Sequence, residues 1–163
     1  MTQASQRVAS MMLVVVLVAC SAPPPNLTDA ETASMYGEVA AQLCGNGGCG
    51  RVLAQDTFVS GLHPGGGELP KHIRQAITGG IGEVEFLTPA QIEAIFADDP
   101  PNITVLYVGP LRWHLSDVVG IEVGSSCGPL CGSGTEYLFR WDGAEWVPTD
   151  PETEGLTVTS WVS

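Results

Sequence analysis

Thr135-Glu136-Tyr137-Leu138-Phe139-Arg140-Trp141-Asp142-Gly143-Ala144-Glu145-Trp146-Val147 is the stretch on which the fold turns. Thr135, Tyr137, Phe139 and Trp141 alternate with Glu136, Leu138 and Arg140, the period of a half-buried strand. Asp142-Gly143 then supplies the backbone freedom of a tight turn, and Trp146-Val147 starts back, so the segment reads as a hairpin. Working outward, Ile103–Val108 and Ser116–Val123 are β-rich runs before it, and Leu156–Val162 is a last strand after it.

Upstream the period changes to that of helices. Thr28-Asp29-Ala30-Glu31 is a capping box, and the spacing predicts a helix from Asp29 to about Leu43, with Met35, Val39 and Leu43 on one stripe. Arg51–Ser60 reads as extended and Gly61–Gly67 as a loop. A second helix opens at Pro70, carries Ile73, Ala76 and Ile77 inward and stops at Gly79-Gly80. Val84–Leu87 reads as a short strand. Thr88-Pro89-Ala90-Gln91 is a second capping box, leading a helix that presents Ile92, Ile95 and Phe96 and breaks at Pro100-Pro101. The expected fold is therefore α+β, with N-terminal helices packed on one face of a C-terminal antiparallel β-meander.

The chain opens with a polar stretch, Met1 to Arg7, and an apolar run, Val8 to Ala19, too short for a spanning helix of about 20 residues. It has the anatomy of an export signal. Leu17-Val18-Ala19-Cys20 resembles the lipobox of bacterial lipoproteins: leucine three before the cysteine, a small residue directly before it. That resemblance implies cleavage before Cys20 and acyl chains on it. Two or more such chains hold a protein stably to a bilayer where one does not. The expected organisation is a signal peptide over residues 1–19, a lipid-anchored Pro-rich tether over 20–27 containing Pro23-Pro24-Pro25, and one domain over 28–163. The place is the extracytoplasmic side of a bacterial envelope, and the outer membrane where the cell has two.

Composition narrows the partners. Six Lys+Arg against 18 Asp+Glu give a formal charge of −12, with 44% hydrophobic residues. Losing Arg7 with the signal makes the mature chain one unit more negative. Such a chain has a core to bury, which excludes general disorder. It lacks the clustered cations that phosphate binding needs, which excludes nucleic acid. The expected partners are the membrane, through Cys20, and an unknown envelope protein or small ligand.

Apart from Cys20, four cysteines remain: Cys44, Cys49, Cys127 and Cys131. In an oxidising compartment they are expected as disulfides. Four cysteines allow three connectivities. Local pairing closes two Gly-rich turns, cross-pairing ties the first helix to the sheet, and a four-thiolate zinc site is the sharper alternative. The segments Met35–Leu43, Cys127–Gly132 and Asp142–Val147 resemble a broad group of uncharacterised secreted bacterial proteins, which implies a shared architecture and carries no activity.

No catalytic residue, cofactor or metal is assigned. His63, His72 and His114 have no metal-ligand spacing, and no nucleophile elbow or phosphate loop is present. Trp113, His114, Trp141 and Trp146 are the one suggestive group, a surface for a peptide, sugar or apolar ligand. The leading expectation is a lipid-anchored binding or structural module. The rival is a hydrolase-like envelope enzyme whose site gathers His63 and His114 with a carboxylate.

Overall fold

The structure is a computed structural model that describes residues 26–44, 49–60, 63–97, 103–128, 131–158 and 160–162. The expected signal, Cys20 and the tether as far as residue 25 lie outside the described residues.

Helix α1 (Asp29–Cys44) begins where the capping box puts it. The Thr28 N–H donates to Glu31 Oε2 at 2.8 Å and the Glu31 N–H donates to Thr28 Oγ1 at 3.2 Å, so two orphan donors are satisfied reciprocally. Its inner stripe buries Met35, Tyr36, Val39 and Ala40. Strand β1 (Arg51–Gln55) follows, and after Asp56 comes a small hairpin of β2 (Thr57–Ser60) and β3 (His63–Glu68). Helix α2 (Lys71–Ile81) does not stop at Gly79-Gly80. Gly80 lies against the Gly37 carbonyl of α1, so close that a Cβ there would collide with it. The glycine serves helix–helix approach, and the helix runs on to Ile81, where Gly82 caps it with φ 103°.

Strand β4 (Val84–Leu87) leads to α3 (Pro89–Ala97), whose cap is the second box: the Thr88 N–H donates to Gln91 Oε1 at 2.9 Å and the Gln91 N–H to Thr88 Oγ1 at 3.3 Å. Then come β5 (Ile103–Val108), β6 (Arg112–Leu115), β7 (Val118–Gly128), β8 (Cys131–Trp141), β9 (Trp146–Thr149), the single turn α4 (Pro151–Glu154) and β10 (Ser160–Val162).

The expected architecture is overturned by the pairing of these strands. The main sheet is mixed. β1 runs parallel to β4 on one side (Val52↔Val84) and parallel to β5 on the other (Val52↔Thr104), and only from β5 onward are the pairings antiparallel. Nor are the helices N-terminal: α2 and α3 stand between strands, and α4 near the end. They also cover both faces. The path steps from β1 out to β4 and back across β1 to β5, so crossovers of one hand must place α2 and α3 on opposite sides. Ile73 and Ile77 of α2 share a core with α1, Val52, Ala54, Leu106, Val119, Ile121, Val123 and Phe139. Ile92 of α3 packs instead with Leu53, Leu87, Ile103 and Val105.

The physical reason for the misreading is β1. Val52, Leu53, Ala54 and Gln55 are all buried, the mark of an inner parallel strand covered on both faces, and such a run has no period-two alternation to announce it. Gly61–Gly67 is likewise not all loop, since β3 occupies His63–Glu68.

Along the antiparallel strands β7 and β8, each outer neighbour is broken and continued in line. β5 and β6 lie along the same edge of β7 (Val108↔Val123, then Arg112↔Gly120), and β9 and β10 share the outer edge of β8 (Leu138↔Thr149, Ser160↔Thr135). The Tyr36 hydroxyl of α1 donates to the Gly109 carbonyl at the β5–β6 break at 2.7 Å, and its burial pushes the phenol pKa well up.

Candidate functional site

In open α/β sheets, ligands sit in the crevice at the carboxyl ends of neighbouring parallel strands, where the helices diverge. Here that place is the end of β1 and β5, and the β2–β3 hairpin fills it. A Cβ on Gly109 would lie 2.9 Å from the Val59 carbonyl oxygen and 3.0 Å from Glu122 Cβ. The residues suited to recognition lie farther along the sheet, at the end that carries the β6–β7 and β8–β9 turns.

Three tryptophans meet there. Trp113 on β6 is registered against Val119 of β7, and Trp141 and Trp146 are registered against each other across the β8–β9 hairpin. Ring centroids are 5.6 Å apart for Trp113–Trp146, at 73°, and 5.7 Å for Trp141–Trp146, at 55°. Trp146 packs against the α1–α2 core, so the cluster extends the apolar face of the sheet. Trp113 is 51% exposed. The Trp146 indole N–H is buried with no acceptor among the described residues. Trp161 stands apart: on β10 opposite Gly134, its ring crosses Gly124 and Gly134, where any Cβ would collide with it.

His114, grouped with these rings in the sequence, is not with them. It lies on the opposite face, where its Nε2 is 2.8 Å from Glu136 Oε1. Glu136 is registered directly opposite Glu122, and both are buried. The Arg112 guanidinium is 3.9 Å from Glu122. Gly120 makes this possible, because a Cβ there would meet both the imidazole and the Glu136 carboxylate. Like charges directly opposite in a sheet repel, and buried carboxylates need partners. Arg112 and His114 supply one for each. Chemically, an imidazole oriented by a carboxylate is one half of an acid–base device.

Glu122 and Glu136 are the residues that sequence reasoning missed. A signal was present: Gly120-Ile121-Glu122-Val123-Gly124 places an acid between two glycines on one strand face and Gly134 stands beside Glu136 on another, an arrangement that leaves room for side chains to lie across the sheet. Arg140 shares that face and is held by Asp117 at 3.5 Å and Glu154 at 3.3 Å. Of the other histidines, His72 stands on α2 and His63 on β3 opposite Ser60; the His63 side chain is outside what is described.

Both disulfides are local. Cys44–Cys49 joins the end of α1 to the approach of β1, and Cys127–Cys131 closes the β7–β8 hairpin, each with Cα atoms 5.2 Å apart. That pairing takes up the thiols that cross-pairing or a zinc site would have used. It fits a secreted or otherwise extracytoplasmic protein. No helix among the described residues is long and apolar enough to cross a membrane. A cleft of about 430 Å³ lies beside β8, lined by Gln42, Tyr137, Phe139, Pro148, Pro151 and Val158 among others.

No protein family, characterised protein or solved structure matches this chain.

Proposed function

We propose that the chain is a lipid-anchored, extracytoplasmic binding module that carries its ligand surface on Trp113, Trp141 and Trp146. The observation that carries this reading is a half-exposed tryptophan, Trp113, packed against Trp146, which packs in turn against Trp141, at one end of the sheet. Large aromatic rings are normally drawn into a core, and clustered ones left at the surface mark recognition sites. The anchor rests on Leu17-Val18-Ala19-Cys20, with the acyl chains holding the acidic domain to the envelope through its tether.

Two measurements test the two halves. Cells fed an alkyne-bearing fatty acid should label the wild-type chain and leave Cys20→Ser unlabelled; equal labelling refutes the anchor. A screen of envelope-derived solutes by intrinsic tryptophan fluorescence should find ligands whose effect disappears in Trp113→Ala. Ligands indifferent to that change remove the surface.

A second reading, an envelope hydrolase, is favoured by one specific observation, the His114–Glu136 pair with Glu122 opposite. It requires turnover of ester or phosphoester substrates that His114→Gln abolishes while thermal stability is retained. That result would replace the binding reading.

A further inference from the structure

The two bridges sit in different surroundings. Cys44 and Cys49 are half-buried and pack against the core that α1 and α2 share with the sheet. Cys127 and Cys131 are both exposed, at the tip of the β7–β8 hairpin, the end of β8 away from the tryptophans. A bulge there leaves Cys127 without a ladder partner: Ser126 is registered against Gly132, and Gly128 against Cys131. The bulge turns Cys127 out of the ladder and into the bridge.

The hairpin does not depend on that bridge for its shape. Registered pairs hold the two strands from Val118↔Arg140 down to Ser126↔Gly132, and the Ser126 hydroxyl donates to the Cys131 carbonyl at 3.0 Å. A bridge across so short a loop also constrains the unfolded chain least. Access to it is open. From Val123 to Thr135 the sequence has no charged residue, and glycine and serine stand on either side of the bridge. In a chain of formal charge −12, an incoming thiolate meets no carboxylate and no bulky flanking side chain within that stretch. Exchange rates depend on such access to a sulfur, and exposed disulfides are the labile ones.

We propose that Cys127–Cys131 is a thiol–disulfide exchange site, opened by an external dithiol while the domain stays folded. One thiolate of the dithiol attacks a bridge sulfur, forming a mixed disulfide and releasing the other cysteine as a thiolate that takes up a proton. The second thiolate of the dithiol then displaces the cysteine held in the mixed disulfide, and that sulfur is protonated in turn. Two electrons pass from the dithiol, which ends as a disulfide, to the bridge, which ends as two thiols. The Cys44–Cys49 bridge, set against the core, stays closed.

The test titrates the folded full chain, in a non-ionic detergent, with dithiothreitol. Free thiols are blocked with N-ethylmaleimide and located by peptide mass spectrometry, which separates them from Cys20. Cys127 and Cys131 should be blocked at about tenfold less reductant than Cys44 and Cys49, with circular dichroism unchanged. A Cys127→Ser, Cys131→Ser double variant should melt within about 5 °C of the wild type and leave the reduction of Cys44–Cys49 where it was. The two bridges opening together, or Cys44–Cys49 opening first, would overturn the proposal. So would thiols at 127 and 131 that appear only as the circular dichroism signal is lost, or a double variant that does not fold, since each makes the bridge structural.

Discussion

The two faces of the β7–β8 hairpin are built from alternate residues of the same two strands, yet they are different interiors. One face is Val119, Ile121, Val123 and Phe139, buried under α1 and α2. The other is Gly120, Glu122, Gly124, Gly134 and Glu136, where His114 and Trp161 from the neighbouring strands lie against the glycines and Glu154 of α4 reaches Arg140. The first face is stabilised by area removed from water and tolerates change in proportion to volume. The second holds charges that are tolerable only as pairs, so its response depends on which partner is lost.

That contrast can be broken most severely on the apolar side. Phe139→Ala should cost about 3–5 kcal/mol, read as a large fall in the denaturation midpoint; a loss under about 1 kcal/mol would mean that the helices do not seal this face. On the polar side the expected effect is smaller and asymmetric. His114→Ala leaves a buried carboxylate facing Glu122 and should cost about 2–3 kcal/mol, below the range for fully buried pairs because the imidazole is partly exposed. Glu136→Gln keeps a polar group and relieves the like-charge contact, so it should cost about 1 kcal/mol or less. Equal costs for the two would show that His114 and Glu136 are not coupled.

Neighbouring positions sharpen the comparison further. Gly120→Ala adds a single methyl where the imidazole and carboxylate lie, and should cost about 1–3 kcal/mol through displacement. The smallest expected effect belongs to neither face and serves as the baseline. Thr28→Ala removes the α1 cap and should cost about 1 kcal/mol or less. The Thr28 side chain and N–H hold the Glu31 carboxyl below its ordinary value of 4.5. A lowered folded-state pKa means that this cap stabilises above the ordinary value and is lost as pH falls through the lowered one. The stability difference between mutant and wild type should thus narrow as acidification carries the pH below that lowered value; a difference that stays constant from neutral to strongly acidic pH would remove the assignment.

Much of the local structure is legible in the sequence. Both capping boxes start helices, and Asp142-Gly143 makes its hairpin, because each is a contest settled within a few residues. What is illegible depends on distant chain. Gly79-Gly80 reads as a stop until Gly37 is known to lie against it. Val52-Leu53-Ala54 reads as any extended segment until both its neighbours in the sheet are known to be parallel. Asp150-Pro151, with proline at the start of α4, carries a helix signal in a stretch to which no element is assigned from sequence, and the strand expected over Leu156–Val162 is found at Ser160–Val162. At the site, the grouping of Trp113, Trp141 and Trp146 by position agrees with their ring contacts. That of His114 does not, because successive residues of a strand point to opposite faces, so the neighbour of Trp113 lies on the other side of the sheet. Glu136 reads as the wet side of a half-buried strand, whereas Glu136, Leu138 and Phe139 are all buried.

The central position of β1 has a consequence for how the chain is assembled. Its two partners, β4 and β5, arrive only after long intervening segments, whereas β6 through β9 join by short reversals. Long loops must be closed before their contacts repay the lost entropy, so the local meander is expected to organise early and the middle of the sheet to knit late. Until it does, the free edge of β5 is a sticky seam for other copies, and the new chain is safest while that seam is chaperoned or the chain is kept unfolded. Kinetic φ-values near zero at Leu53 and well above it at Ile121 are the signature of that order.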